Sequence, residues 1–134
     1  MRILAVANQK GGVGKSTLTV HLAYAAVEAG LRVLLVDFDK QGSLSLSFAP
    51  MAGAEPGLQA SALFEKEPST IAPEVLSDKL AIIRADDTLA LLNGGVQGAE
   101  KRPGQNLAPF ADQFDLCLID TPGAIGFNPP MTVG

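Results

Sequence analysis

Residues Lys10-Gly-Gly-Val-Gly-Lys-Ser-Thr17 stand between a short apolar run, Ile3-Leu-Ala-Val-Ala7, and an alanine-rich stretch with helical spacing. A strand that passes into a helix through three closely set glycines has few folded solutions. Successive glycines let backbone N–H groups converge on an anion, and the helix that follows adds the positive end of its dipole. Lys15 then supplies a mobile ammonium for terminal phosphates, and the Ser16 hydroxyl is placed to ligate Mg²⁺. Residues 9–17 therefore read as a phosphate-binding loop, with Lys10, Gly11, Gly12, Val13, Gly14, Lys15, Ser16 and Thr17 as its nucleotide-binding residues. The usual formula is a glycine, four free positions and Gly-Lys-Ser/Thr. Here Gln9 stands where the first glycine belongs, and a second lysine, Lys10, opens the loop.

A length of 134 residues suits one domain with one core, and 47% apolar residues suit a buried sheet. No apolar run reaches the roughly 18 residues of a membrane span, and Met1-Arg2 leads straight into a strand. These features predict a cytoplasmic protein with no membrane partner. A single cysteine excludes an internal disulfide framework and a multi-cysteine metal site within one chain. Cys117 lies in Leu116-Cys-Leu-Ile119 and reads as a small buried apolar residue. Charge is uneven: residues 1–40 hold five Lys/Arg against three Asp/Glu, and residues 41–134 hold five against eleven. The phosphate-binding end is the basic one, and the chain carries no basic face that marks nucleic-acid binding.

Residues 2–7 read as a buried strand, and Leu18, Leu22, Ala25, Ala26 and Ala29 as the apolar stripe of the helix after the loop, with Gly30 as its C′ stop. His21, one position off that stripe, reads as a surface residue. Residues 31–37, 80–84 and 114–120 form three more strand patterns. Residues 43–77 mix short helical patterns, such as 58–64, with Pro50, Pro56, Pro68 and Pro73. Gly94, Gly95, Gly98, Pro103 and Gly104 mark a loop before a weak helix at 105–113. Strands alternating with helices predict an α/β fold with a parallel sheet and right-handed crossovers. Ligands of such sheets sit at the carboxyl ends of the strands. The glycine loop, the pair Asp37/Asp39 and Asp120 all follow such ends.

Mg²⁺ takes octahedral oxygen ligands and shares itself between one or two protein oxygens, waters and nucleotide phosphates. Ser16 is the expected direct ligand, and Asp120 is placed to hold a Mg²⁺-bound water. Asp39 is assigned to the attacking water and Asp37 to the outer shell of the metal. Either of the last two could instead cap a helix beginning near Gly42.

Lys10-Gly-Gly-Val-Gly-Lys-Ser-Thr17, Val36-Asp-Phe-Asp-Lys-Gln-Gly42 and Cys117-Leu-Ile-Asp-Thr-Pro122 together resemble the ParA-type partition ATPases of plasmids and chromosomes. These belong to the deviant Walker A class that also contains MinD and the nitrogenase iron protein. The resemblance implies a P-loop NTPase fold, three-layer α/β/α, with the P-loop at 9–17, a first switch at 37–43, and the Walker B strand and second switch at 115–128. It implies the strand order 80–84, 31–37, 114–120, 2–7. It also implies a Mg²⁺-dependent ATPase, ATP being bound in a sandwich homodimer whose Lys10 reaches the nucleotide of the partner subunit. Lys10, Lys15 and Asp39 are then the catalytic residues. Family members act in plasmid or chromosome segregation, on the nucleoid, with nonspecific DNA and a centromere-binding partition protein as partners. Proline usually stands where Lys40 is found and asparagine where Ser43 is found, so the loop after Asp39 is more cationic here.

ParA-like chains are about twice as long, so residues 1–134 are expected to be the N-terminal part of a single ATPase domain, ending after the Walker B strand. The C-terminal half, with adenine contacts and the DNA surface, is absent from the sequence, and residues 3–7 are expected to form an apolar sheet edge. Two alternatives remain at this stage: a MinD-like positioning ATPase, and a non-catalytic nucleotide-binding fragment.

Overall fold

The computed structural model describes residues 1–8, 13–39, 44–45, 48, 57–65, 69–86, 88 and 102–122. Five strands form one sheet: β1 Arg2–Asn8, β2 Val33–Asp37, β3 Glu74–Ser77, β4 Leu80–Ile83 and β5 Leu116–Pro122. Their spatial order is β1-β5-β2-β4-β3. The first four are parallel neighbours, and β3 adds to β4 antiparallel through a tight hairpin with an irregular register at Val75/Ser77. The order expected for the four parallel strands is the order found, while β3 is an addition.

Parallel strands are covered on both faces and so read as continuous apolar runs. Alternate residues of β2, Val33-Leu-Leu-Val36, serve opposite sides and all are fully buried. One face gathers Ile3, Leu34, Val36, Ala81, Ile83, Cys117 and Ile119 beneath the 3-10 helix Ala60–Phe64, the helix α2 (Arg102–Leu107) and the 3-10 turn Ala108–Phe110. The other gathers Val33, Leu35, Leu80, Ile82 and Leu118 beneath the helix α1 (Val13–Glu28), with Leu44 and Phe48. Each fully buried Leu or Ile contributes about 1.5–3 kcal/mol relative to its exposed state. Buried Asn106 of α2 ties that layer together, its Nδ2 donating to the carbonyls of Leu63 at 2.6 Å and Glu65 at 2.8 Å.

α1 ends as its glycine requires. Gly30 has φ +90, its N–H donates to the Val27 carbonyl, and the Leu31 N–H reaches back to Ala26. This pair of bonds is a Schellman motif, open to glycine because a Cβ is strained at positive φ. The face of α1 differs from the expected stripe. Among the described residues Thr19, Ala23 and Ala26 are its buried positions and Leu22 is partly buried, whereas Leu18 is 52% exposed and Ala25 and Ala29 lie outward. A helix apolar nearly all round offers no periodicity by which to choose a side.

Three further expectations are adjusted. The helix expected at 105–113 begins at Arg102, because Pro103 occupies the first turn, where no N–H partner is needed. The short helical pattern at 58–64 is a 3-10 helix from Ala60, entered through Gly57, whose close approach leaves no room for a Cβ against Pro73 and Glu74. β3 escaped notice because its alternation is inverted: Glu74 is buried and Val75 is 67% exposed.

At the amino-terminal end of the parallel strands, the Arg32 guanidinium forks onto Asp115, Nε to Oδ2 at 3.2 Å and Nη2 to Oδ1 at 3.1 Å. The Arg32 N–H adds a third bond, and the Asp115 N–H donates to the Arg32 carbonyl at 2.8 Å. The fork holds the Asp115 carboxyl down at about 2. A carboxyl depressed by folding stabilises the fold above its ordinary value and loses that contribution as pH falls toward the folded value. Asp115→Asn is therefore expected to melt below the wild type at pH 7, with the gap closing between about pH 4 and pH 2; a gap independent of pH in thermal melts would remove the ion pair as its cause.

Candidate functional site

The carboxyl ends of three adjacent strands make one rim. In register, Val6 of β1 lies opposite Asp120 of β5, and Asp120 lies opposite Asp37 of β2. Residues paired across parallel strands share a face. Leu35 and Leu118, paired two positions earlier, belong to the layer under α1. Asp37 and Asp120 therefore stand on the α1 side, and α1 starts at Val13, a few residues after β1 ends. Both side chains are fully buried.

Asp37 is held at each oxygen. Oδ1 accepts the Asp39 N–H at 3.0 Å, and Oδ2 accepts the Ser45 N–H at 2.9 Å and the Ser45 hydroxyl at 2.7 Å. Burial pushes its carboxyl above the ordinary value, the bonds from Ser45 and Asp39 pull it back, and neighbouring Asp120 adds to the upward push. Accepting such bonds favours the ionised form of a buried carboxyl. Residues 40–43, where the helix that Asp37 or Asp39 could cap would begin, lie outside the described residues. Asp39 is half-buried beside Asp37. The β5 carbonyl of Asp120 accepts the Phe38 N–H at 2.9 Å, which locks the chain leaving β2 against the end of β5.

Of the residues singled out in the sequence, Asp37, Asp39 and Asp120 come together at this rim. Val13, Gly14, Lys15, Ser16 and Thr17 form the first turns of α1, with side chains outside the described residues. Lys10, Gly11 and Gly12 lie outside them altogether, as do Lys40 and Ser43. Two buried carboxylates form an all-oxygen donor set suited to a hard cation. Among the described residues no group of three or more His, Cys, Asp or Glu could hold a metal by itself.

Three residues not flagged in the sequence bear on the site: Ser45, Arg84 and Glu74. No spacing rule links residues so far apart in the chain. Their one signal is a pair of charges, Glu74 and Arg84, inside otherwise apolar strand patterns. His21 is exposed, as expected for a surface residue. Cys117 is fully buried in β5 with its thiol pushed far above the ordinary value by burial. Ellman's reagent is expected to leave native Cys117 untouched over minutes and to titrate one thiol after denaturation; rapid native labelling would make it a reactive group instead.

Residues 1–129 match the family model described as an AAA domain. The chain is 38% identical over 135 residues to Protein IncC of Escherichia coli, an alignment covering 94% of this chain and 36% of that protein. It is 33% identical over 132 residues to the chromosome partitioning protein ParA of Myxococcus xanthus, covering 93% and 46%. Among solved structures, cobyrinic acid a,c-diamide synthase of Mycobacterium smegmatis with bound ADP and magnesium superposes with a TM-score of 0.71 at 35% identity, covering 92% of this chain and 52% of the other. The chain thus spans about a third to a half of the proteins it matches. No helix among the described residues is long and apolar enough to cross a membrane.

Proposed function

The chain belongs to the AAA-domain family of ParA-type partition ATPases, and from that premise we propose that it binds ATP with Mg²⁺ at the rim formed by β1, β5 and β2 and hydrolyses it. The observation that carries this reading is the pair of fully buried carboxylates, Asp37 and Asp120, in register at the ends of adjacent parallel strands. They stand on the face covered by the helix that follows the glycine loop. A bound cation would favour the ionised form of both carboxyls, and a cation beside a phosphate-binding loop is what a nucleoside triphosphate uses. The synthase with bound ADP and magnesium supports the same ligand pair.

In this reading Lys10, Gly11, Gly12, Val13, Gly14, Lys15, Ser16 and Thr17 enclose the phosphates. Ser16 would ligate Mg²⁺, with Asp37 and Asp120 as the carboxylates that would stand in its outer shell. Mg²⁺ supplies charge neutralisation at the phosphate oxygens. Asp39, outside the strand and only half-buried, orients a water for in-line attack on the γ-phosphorus, and the bond to the ADP oxygen breaks as the new P–O bond forms. Lys15 neutralises charge on the transferring group from its own subunit. Lys10 does so from the partner in a sandwich homodimer. The whole protein then works in plasmid or chromosome segregation, with nonspecific DNA and a centromere-binding partition protein as partners. Phosphate release measured on residues 1–134 beside the full chain separates this reading from that of a non-catalytic nucleotide-binding fragment.

Lys15→Ala is expected to weaken ATP binding by about tenfold to a hundredfold, since charge-assisted contacts contribute about 1.5–3 kcal/mol. Wild-type affinity in a titration would sink the loop assignment. In the full chain, Lys10→Ala should retain ATP binding and lose about 10³-fold or more in turnover, the scale of a missing trans cation. Asp39→Ala should give an ATP-bound dimer that turns over poorly, and normal turnover there would pass the water-orienting role to Asp37.

A further inference from the structure

A polar chain runs inward from the edge of the sheet to the rim. Arg84, just past β4, forks onto Glu74 of β3, with Nε to Oε1 and Nη2 to Oε2 both at 2.8 Å. The pair is largely enclosed, with Glu74 only 8% exposed. A fork of this kind fixes the plane of the guanidinium and leaves Nη1 a single direction. That direction is the Ser45 carbonyl, which accepts it at 2.7 Å. The Arg84 backbone is gripped too: it bridges to Gln59, and its carbonyl accepts the Ala60 N–H at 2.9 Å.

Ser45 passes the constraint on. Its hydroxyl oxygen accepts the Ala85 N–H at 3.0 Å. A hydroxyl has one proton, and a backbone N–H can only donate, so the Ser45 proton is directed to Asp37 Oδ2 at 2.7 Å. The Ser45 N–H donates to the same oxygen. Every bond in the chain is made in the direction that leaves Asp37 an acceptor, held in one rotamer.

We propose that Glu74, Arg84 and Ser45 are positioning residues for the nucleotide site: the buried Glu74–Arg84 pair anchors Ser45, and Ser45 aims the Asp37 carboxylate at the rim. The inference rests on the nucleotide reading of Asp37 given above. It assigns a purpose to β3, whose buried glutamate otherwise costs desolvation without serving the core. Arg32–Asp115, at the opposite end of the sheet, makes a similar fork and touches nothing at the rim, so it provides the matched structural control.

The test is steady-state ATP hydrolysis by the full chain, with Mg²⁺ titrated, alongside thermal melts. Glu74→Gln and Ser45→Ala are expected to lower kcat fivefold or more and to raise the half-saturating Mg²⁺, with KM for ATP within twofold of wild type. Ser45→Thr, which returns the hydroxyl, should recover most of the lost rate. Arg32→Gln should lower the melting temperature and leave kcat and the Mg²⁺ dependence unchanged. If Glu74→Gln does not fold, Ser45→Ala, which leaves the ion pair intact, carries the same decision. Folded Ser45→Ala protein with wild-type kcat and Mg²⁺ dependence overturns the positioning role and leaves the nucleotide reading standing. A wild-type protein without Mg²⁺-dependent hydrolysis overturns that reading, and the positioning role with it.

Discussion

Two carboxylates buried side by side are the constraint around which the described structure is arranged. Asp37 and Asp120 face each other in register across β2 and β5 with no exposure to solvent. Desolvation and mutual repulsion both oppose their ionised forms. Asp37 meets that cost with three hydrogen bonds, drawn from the residue two ahead of it and from Ser45. Removing those donors leaves a buried charge unsatisfied, which is more costly than never having made the bonds. Asp39 and Ser45 are thus tied to the same carboxylate that stands at the candidate site.

The fold delivers the two carboxylates to one place by ordinary means. Parallel strands carry apolar residues on both faces, so the register is held by burial at each step from Val33 to Val36 and from Cys117 to Ile119. At the next position of β2 and β5 the apolar pattern gives way to aspartate. The start of α1 follows closely on the end of β1, which borders the same rim. The candidate site lies where the strands stop, and the Arg32–Asp115 ion pair lies at the other end of the sheet. Separating the two allows the rim residues to depart from apolar packing without loosening the sheet.

How far these features were legible follows from how local their causes are. The four parallel strands and their order could be read because continuous apolar runs and a glycine-rich turn are signals contained in a few consecutive residues. The placement of Asp37, Asp39 and Asp120 at one rim could be read because all three follow the carboxyl ends of strands. β3 could not, because its inward residue is Glu74, and only Arg84, ten residues on, makes that burial tolerable. The buried side of α1 was misjudged because alanine, leucine and valine surround the helix; its neighbours choose Thr19, Ala23 and Ala26. Ser45 was invisible for a related reason. A serine near a helical turn is unremarkable until the fold brings Ala85 and Asp37 to its two sides.

The central claim is that the buried pair at the ends of β2 and β5 serves a Mg²⁺-nucleotide. The most direct measurement is the affinity of the full chain for ADP by calorimetry, with and without Mg²⁺, in wild type and in Asp120→Asn. The account predicts that Mg²⁺ tightens ADP binding in the wild type and that Asp120→Asn loses most of that gain while its Mg²⁺-free affinity stays the same. An equal gain from Mg²⁺ in both proteins would contradict it.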